Sequence, residues 1–344
     1  MRYVRLGQTD LKVSSIAFGA WAFGGDWGAA DRHDSKAAID RALELGINLF
    51  DTAQGYGFSA AEQLLAQALW GRVRREEVVI ATKGGLRRDG DRLVRDASAG
   101  WLRQGVESSL RNLGTDHLDL YQLHWPDPHT PVAETAGALA ELVAEGKIRH
   151  VGVSNYDVPE MQELSRFGPL ETLQPPYHLF RRAIEDQILP YAASHDLGVL
   201  AYGPLAHGLL GGRMTPATSF PVDDWRSHSP DFTAERFRRN LQVVERLKQF
   251  ARERAITLPE LAVAWTLAHP AVQVAIVGGP PTHPAGRHRH RHQPRTVRRR
   301  PSPDRDDRRR RRAGVGPPPR RHVSPQDHSA VIRTTINDHE GSAT

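Results

Sequence analysis

The chain has 344 residues, a formal net charge of +6, 39% hydrophobic residues and no cysteine. That length suits one large domain with a buried core plus a tail, and the lack of cysteine excludes disulfides and thiolate metal sites. The basicity is confined to one end: residues 1 to 279 hold 30 Lys+Arg against 34 Asp+Glu, and residues 280 to 344 hold 16 Arg, no Lys and 6 acids. The first residues, Met1-Arg2-Tyr3-Val4-Arg5-Leu6-Gly7, lack the apolar core of a signal peptide, and no run approaches the ~18 apolar residues of a membrane helix. A soluble, cytoplasmic protein is the expectation.

In chain order, Tyr3 to Leu6, a turn at Gly7-Gln8-Thr9-Asp10, and Leu11 to Val13 read as a β-hairpin. Strand-like runs come next at Ser15 to Phe18, Asn48 to Asp51, Val78 to Thr82, Leu118 to His124, Arg149 to Val153, Thr172 to Gln174, Val199 to Tyr202 and Val272 to Val277. Between them, apolar residues recur every three or four positions over Ser35 to Leu45, Ala60 to Leu69, Ala99 to Asn112, Val132 to Ala144, Val158 to Phe167 and Glu185 to His195, the period of amphipathic helices. Leu45-Gly46, Leu113-Gly114 and Glu145-Gly146 supply the glycine that ends a helix in a left-handed residue. After Tyr202 come a Gly-rich loop, an irregular stretch from Thr215 to Asp231, and two further helices at Ala234 to Arg254 and Leu258 to Ala268. Strand and helix alternate throughout, which predicts a parallel α/β fold.

Asp51, Lys83 and His124 stand at or just past the ends of apolar runs, and Tyr56 comes five residues after the first of them. In a barrel of parallel strands, such positions converge on one face. An ammonium near a phenol favours the ionised phenol, and a carboxylate offsets the cost of burying the ammonium. With His124 able to hydrogen-bond a carbonyl oxygen, the set suits reduction of an aldehyde or ketone, Tyr56 donating the proton. No side chain carries hydride, so a cofactor must supply it. Asp51 and Lys83 taken alone would read equally well as a buried structural ion pair.

These residues lie within Asp51-Thr52-Ala53 with Tyr56-Gly57, Thr82-Lys83, Gln122-Leu123-His124-Trp125-Pro126-Asp127, Gly152-Val153-Ser154-Asn155, and Tyr202-Gly203-Pro204-Leu205 with Gly208. In type and order the five motifs resemble the aldo-keto reductase family, over residues 1 to about 278. The resemblance implies a (β/α)8 TIM barrel with an N-terminal β-hairpin and an NADPH cofactor, with NADH as the alternative. It implies a small-molecule carbonyl substrate and Asp51, Tyr56, Lys83 and His124 as the catalytic set. It further implies that Ser154, Asn155 and Gln174 bind the nicotinamide carboxamide and that Tyr202 stacks on the ring. Gly203, Pro204, Leu205, Gly208 and Arg213 would form the loop over the pyrophosphate and 2′-phosphate. Trp21, beside the site after the first strand, and Gly278, ending the last, complete the cofactor-side candidates. A turn-forming Asn155, a core Tyr202, an ordinary loop at 203 to 213 and a packing role for Trp21 stand as the alternatives. A regulatory or redox-sensing barrel with little turnover, and an inactive truncated reductase, are the rival functions.

From Gly279 the composition changes: Gly279-Pro280-Pro281-Thr282-His283-Pro284 interrupts any helix, and the remaining residues are rich in Arg, Pro and His. We expect a barrel over 1–279 and a disordered basic tail over 280–344 that replaces the last helix and its 2′-phosphate contacts. A shifted reading frame would produce such a change. Arg287 would match an expected phosphate contact only by accident, and His288, His290 and His292 lack the neighbouring carboxylate or cysteine of a metal site. Without aromatic residues between its arginines, the tail is not expected to recognise nucleic acid specifically. The sequence leaves the oligomeric state open.

Overall fold

The computed structural model describes residues 1–24, 32–90, 92–222 and 224–278. The tail over 280–344, with Arg287 and the three histidines, lies outside the described residues.

The chain opens with an antiparallel hairpin, β1 (Tyr3–Arg5) and β2 (Lys12–Ser14), Tyr3 facing Ser14. Eight parallel strands then close a barrel: β3 (Ile16–Gly19), β4 (Leu49–Asp51), β5 (Val79–Gly84), β8 (Leu118–Leu123), β9 (Ile148–Ser154), β10 (Thr172–Gln174), β11 (Gly198–Tyr202) and β12 (Val274–Gly278). Each strand pairs with the next in that order, and the ring shuts where β12 pairs with β3, Ala275 facing Ile16 and Gly278 facing Gly19. All eight predicted strands are present, with ends shifted by a residue or two. Two further strands have no counterpart in the sequence pattern: β6 (Leu86–Asp89) and β7 (Arg92–Arg95), an antiparallel hairpin projecting directly after Lys83.

The helices are α1 (Arg32–Glu44), α2 (Ala60–Leu69), α3 (Ala99–Leu113), α4 (Val132–Ala144), α5 (Val158–Leu164), α6 (Ile188–Ser194), α7 (Ala234–Glu253) and α8 (Leu258–Leu267). Helix α6 is shorter than expected: a 3-10 turn occupies Ala183–Glu185, and the helix begins at Ile188 so that Pro190 falls in its first turn, where no N–H is needed. Helix α5 stops at Leu164, and the Ser165 hydroxyl donates back to Met161 O at 2.8 Å.

Because strand side chains alternate, the barrel separates two cores. Leu49, Val79, Ala81, Leu120, Leu200, Val274 and Ile276 point inward and pack with Leu6, Leu11 and Val13 of the hairpin into an apolar plug. Outward-facing residues such as Phe50, Ile80, Tyr121, Val151 and Val199 pack under the helices. The hairpin meets the barrel closely at Gly7, which has φ +52 and where a Cβ would lie 2.2 Å from Gly198 N; only glycine fits both constraints. The plug fills the lower barrel, so the inward residues at the strands' C-terminal ends form the floor of whatever lies above.

That lower, N-terminal end is laced with charge. Asp119, 3% exposed, accepts from Arg75 Nη2 at 2.6 Å and from Ile80 N at 2.9 Å. His150 lies 2.8 Å from both Asp10 and Glu171. A groove of about 990 Å³ lined by Arg75, Arg111, Asp119 and Arg149 opens there, on the face opposite the predicted catalytic residues.

Candidate active site

Asp51 ends β4 and Lys83 sits one residue before the end of β5, both facing inward above the plug. Their side chains are 3% and 1% exposed, and Lys83 Nζ lies 2.6 Å from Asp51 Oδ1. The same nitrogen donates to Thr52 O at 2.9 Å and to the Tyr56 hydroxyl oxygen at 3.3 Å. An ammonium has three protons and no acceptor, so these three contacts use it fully. The Tyr56 oxygen receives a proton-bearing donor from Lys83, which leaves the phenol's own proton to be given elsewhere.

The segment carrying Tyr56 is held from both sides. Gln54 N donates to Lys83 O at 2.9 Å, and Ala61 N donates to Tyr56 O at 3.3 Å at the start of α2. Gly57, Phe58 and Ser59 in between all have positive φ, at 61°, 44° and 94°. For the last two this is strained backbone, sustained by the packing around it. Glu62, fully buried on the first turn of α2, accepts from Thr82 Oγ1 at 2.7 Å, tying the helix after Tyr56 to the residue before Lys83. His124 closes the group: its ring stands edge-on to Tyr56 with centroids 5.5 Å apart.

Burial sets the electrostatics. It pulls Lys83 below the usual ammonium range, and Asp51 opposes that pull. Burial, reinforced by the Lys83 charge, drives His124 down to about 3, so its imidazole is neutral across the physiological range. Its Nδ1 is buried without a hydrogen-bond partner among the described residues.

The cofactor-side candidates gather on the same face. Ser154 Oγ donates to Gln174 O at 2.8 Å, and Asn155 Nδ2 donates to Ser154 Oγ at 3.1 Å and to His124 O at 3.0 Å. The Tyr202 hydroxyl donates to Asn155 Oδ1 at 2.9 Å, and burial pushes that phenol up to about 12. Asn155 has φ 64°, so it forms a left-handed turn while also joining this network. Gln174 Nε2 donates to Asp51 Oδ2 at 2.8 Å, linking the network to the Asp51–Lys83 pair. Gly203, Pro204, Leu205 and Gly208 continue from Tyr202 into a 3-10 segment over Ala206–Gly211, with Arg213 exposed beyond it, and Gly278 is exposed at the end of the adjoining β12. The Trp21 ring stacks on Tyr56 at 6.2 Å, which sets it against the face of that phenol.

The Aldo/keto reductase family model matches residues 15–283. The chain belongs to the aldo/keto reductase family. It is 41% identical over 280 residues to aldo-keto reductase YhdN of Bacillus subtilis (strain 168), covering 81% of this chain and 85% of that one. It is 35% identical to the NADH-specific methylglyoxal reductase of Escherichia coli (strain K12), covering 78% and 86%. Among solved structures, the glycerol dehydrogenase AKR11B4 from Gluconobacter oxydans matches with a TM-score of 0.75 at 39% identity, over 80% of this chain and 86% of that one. The protein is thus an oxidoreductase, and its aldo-keto reductase fold is the expected barrel. Family members use nicotinamide cofactors. One relative is specific for NADH, so similarity does not choose between NADPH and NADH.

Three features of this aldo-keto reductase escaped the sequence. Trp225 stacks on Trp21 at 6.4 Å, and His207 stands edge-on to Trp225 at 4.7 Å, so the irregular loops contribute an aromatic wall. Nothing in their spacing marks them, because loop residues carry no period. Gln122, the first residue of a recognised motif, faces inward with Lys83. No helix among the described residues is long and apolar enough to cross a membrane.

Proposed function

We propose that this reductase converts aldehydes or ketones to alcohols with Tyr56 as proton donor, using NADPH, with NADH as the alternative. The observation that carries this reading is Lys83 Nζ, placed 2.6 Å from Asp51 and 3.3 Å from the Tyr56 oxygen. Donation by Lys83 to that oxygen stabilises the phenolate that remains after the proton leaves, and Asp51 keeps the ammonium charged inside the barrel.

His124 positions the substrate carbonyl. An unpaired buried N–H is costlier than an unpaired acceptor lone pair, so the neutral imidazole carries its proton on Nε2 rather than on the unpartnered Nδ1. An Nε2–H donor beside the Tyr56 ring then holds a carbonyl oxygen within reach of the phenol. Trp21, Trp225 and His207 wall the space above and limit water there.

A nicotinamide cofactor fits these residues. Ser154, Asn155, Gln174 and Tyr202 make one hydrogen-bonded polar surface beside Asp51. At Gly203, φ +69 and an approach where a Cβ would come no nearer than 3.8 Å to His207 leave the backbone open to a ligand. In this reading those four side chains hold the nicotinamide, the segment from Gly203 through Gly208 tracks the pyrophosphate, and Arg213 takes phosphate charge. When bound, the cofactor supplies the hydride.

Initial rates with NADPH and NADH, on methylglyoxal and on carbonyls derived from glycerol, test the reading; the two relatives' names make these the first substrates. Tyr56→Phe should lower kcat by about 10²- to 10⁴-fold while leaving cofactor binding intact. A Tyr56→Phe enzyme within threefold of the parent would remove Tyr56 as the donor, and sustained multiple turnover by the parent would dispose of the regulatory alternative.

A further inference from the structure

Four inward side chains form a polar layer resting on the apolar plug: Asp51 on β4, Lys83 on β5, Gln122 on β8 and Gln174 on β10. All are at least nine-tenths buried. Asp51 divides its oxygens, Oδ1 accepting from Lys83 at 2.6 Å and Oδ2 accepting from Gln174 Nε2 at 2.8 Å. A carboxylate only accepts, so the Gln174 amide has to turn its nitrogen toward Asp51. That nitrogen also donates to Gln122 Oε1 at 3.3 Å. The chain of contacts therefore runs from Gln122 through Gln174, Asp51 and Lys83 to Tyr56.

Gln122 holds its place at a cost. With its oxygen on Gln174, its own Nε2 is buried without a hydrogen-bond partner among the described residues. Reversing the amide would set two NH2 groups face to face. The neighbouring strand makes room for the side chain: a Cβ at Gly152 would lie 2.1 Å from Thr172 Oγ1 and 3.0 Å from Gln122 Cγ. A leucine or methionine at position 122 would fill the same space above Leu120 with no unpartnered amide of its own, so packing does not account for a glutamine there, whose oxygen takes the second N–H of Gln174.

We propose that Gln122 is a positioning residue for the proton transfer: it anchors the Gln174 carboxamide on the outer oxygen of Asp51 and so keeps that carboxylate aligned on Lys83. This rests on the reading of Tyr56 as proton donor. Without Gln122, Gln174 swings on a single contact and the Asp51 carboxylate is less firmly held against Lys83. Lys83, already held low by burial, then gives up its ammonium proton at a lower pH. The other titratable groups facing Lys83 are Tyr56, Tyr202 on β11 and the neutral His124 after β8, and none of them supplies a compensating negative charge.

The test uses full-length Gln122→Leu and Gln122→Met, with kcat and KM for carbonyl reduction measured against pH. We expect kcat to fall about tenfold, carbonyl KM to stay within about twofold, and the alkaline limb of kcat to move to lower pH by about one unit. A residue that served packing alone would change the melting temperature and leave that limb in place. An active, folded variant whose alkaline limb coincides with the parent's overturns the proposal and leaves the Tyr56 reading standing. Loss of a cooperative thermal transition in both variants assigns Gln122 to folding and likewise overturns it. Failure of the parent enzyme to reduce any carbonyl overturns the Tyr56 reading, and this one with it.

Discussion

At the C-terminal end of the barrel one lysine, Lys83, is enclosed with one carboxylate, Asp51, and its remaining proton contacts go to Thr52 and Tyr56. At the N-terminal end Asp119 is shared by Arg75 and Arg149, and His150 sits between Asp10 and Glu171. The lower charges answer one another with several partners each, and water reaches the rim of the network. The upper pair is minimal and dry, so the field of Lys83 acts on the tyrosine rather than dissipating among counter-ions.

The sharpest way to break the contrast is Lys83→Met. It leaves Asp51 buried without its cation, so a loss of about 3–5 kcal/mol in urea unfolding should accompany at least a hundredfold loss of kcat. Asp119→Ala should uncouple the two effects at the other end: about 2–4 kcal/mol of stability lost, because Arg75 and Ile80 N lose their buried acceptor, with kcat/KM within twofold of the parent. Equal losses of activity in both variants would erase the distinction. Gly152→Ala should cost about 1–3 kcal/mol through overpacking against Thr172 and Gln122, read as a lower chemical midpoint.

The smallest effect concerns the two histidines, which are shifted in opposite directions. Burial alone would lower His150, but the hydrogen bonds its ring donates to Glu171 and Asp10 outweigh it and raise the group above its ordinary value. Its stabilisation is complete below an unfolded value of about 6.5 and is lost as pH rises through the raised, folded value. His124, pushed down to about 3, acts the other way: the unfolded chain takes up its proton first, so stability falls as pH drops below about 6.5. Thermal melts of His150→Gln should therefore lose the decline on the alkaline side and keep the one on the acidic side. A variant that retains the alkaline decline would count against the assignment.

Much of the site is legible in the chain itself. Asp51, Lys83 and His124 stand at or just past strand ends whose apolar runs are unmistakable, Tyr56 follows five residues after Asp51, and the structure links the four in one chain of contacts. The hairpin after Lys83 carries a weaker signal: Asp89-Gly90-Asp91 has the composition of a turn, and Gly90 has φ +59. Its flanks, Leu86-Arg87-Arg88 and Arg92-Leu93-Val94-Arg95, are more than half arginine, which dilutes the apolar pattern that marks a strand. The wall built by Trp225 and His207 is not legible at all, because residues in irregular loops meet only through the tertiary fold. Nor is the role of Gln122, since one polar residue in a buried strand looks the same whether it serves the site or merely tolerates the core.

The pairing of β12 with β3 bears on how the gene can be edited. Backbone hydrogen bonding around the ring is complete by Gly278 opposite Gly19, so no strand of the barrel is left with an open edge. Sequence joined after Gly278 therefore meets a wheel of strands already shut, in which the strands that carry Asp51, Lys83 and Gln122 are paired on both sides.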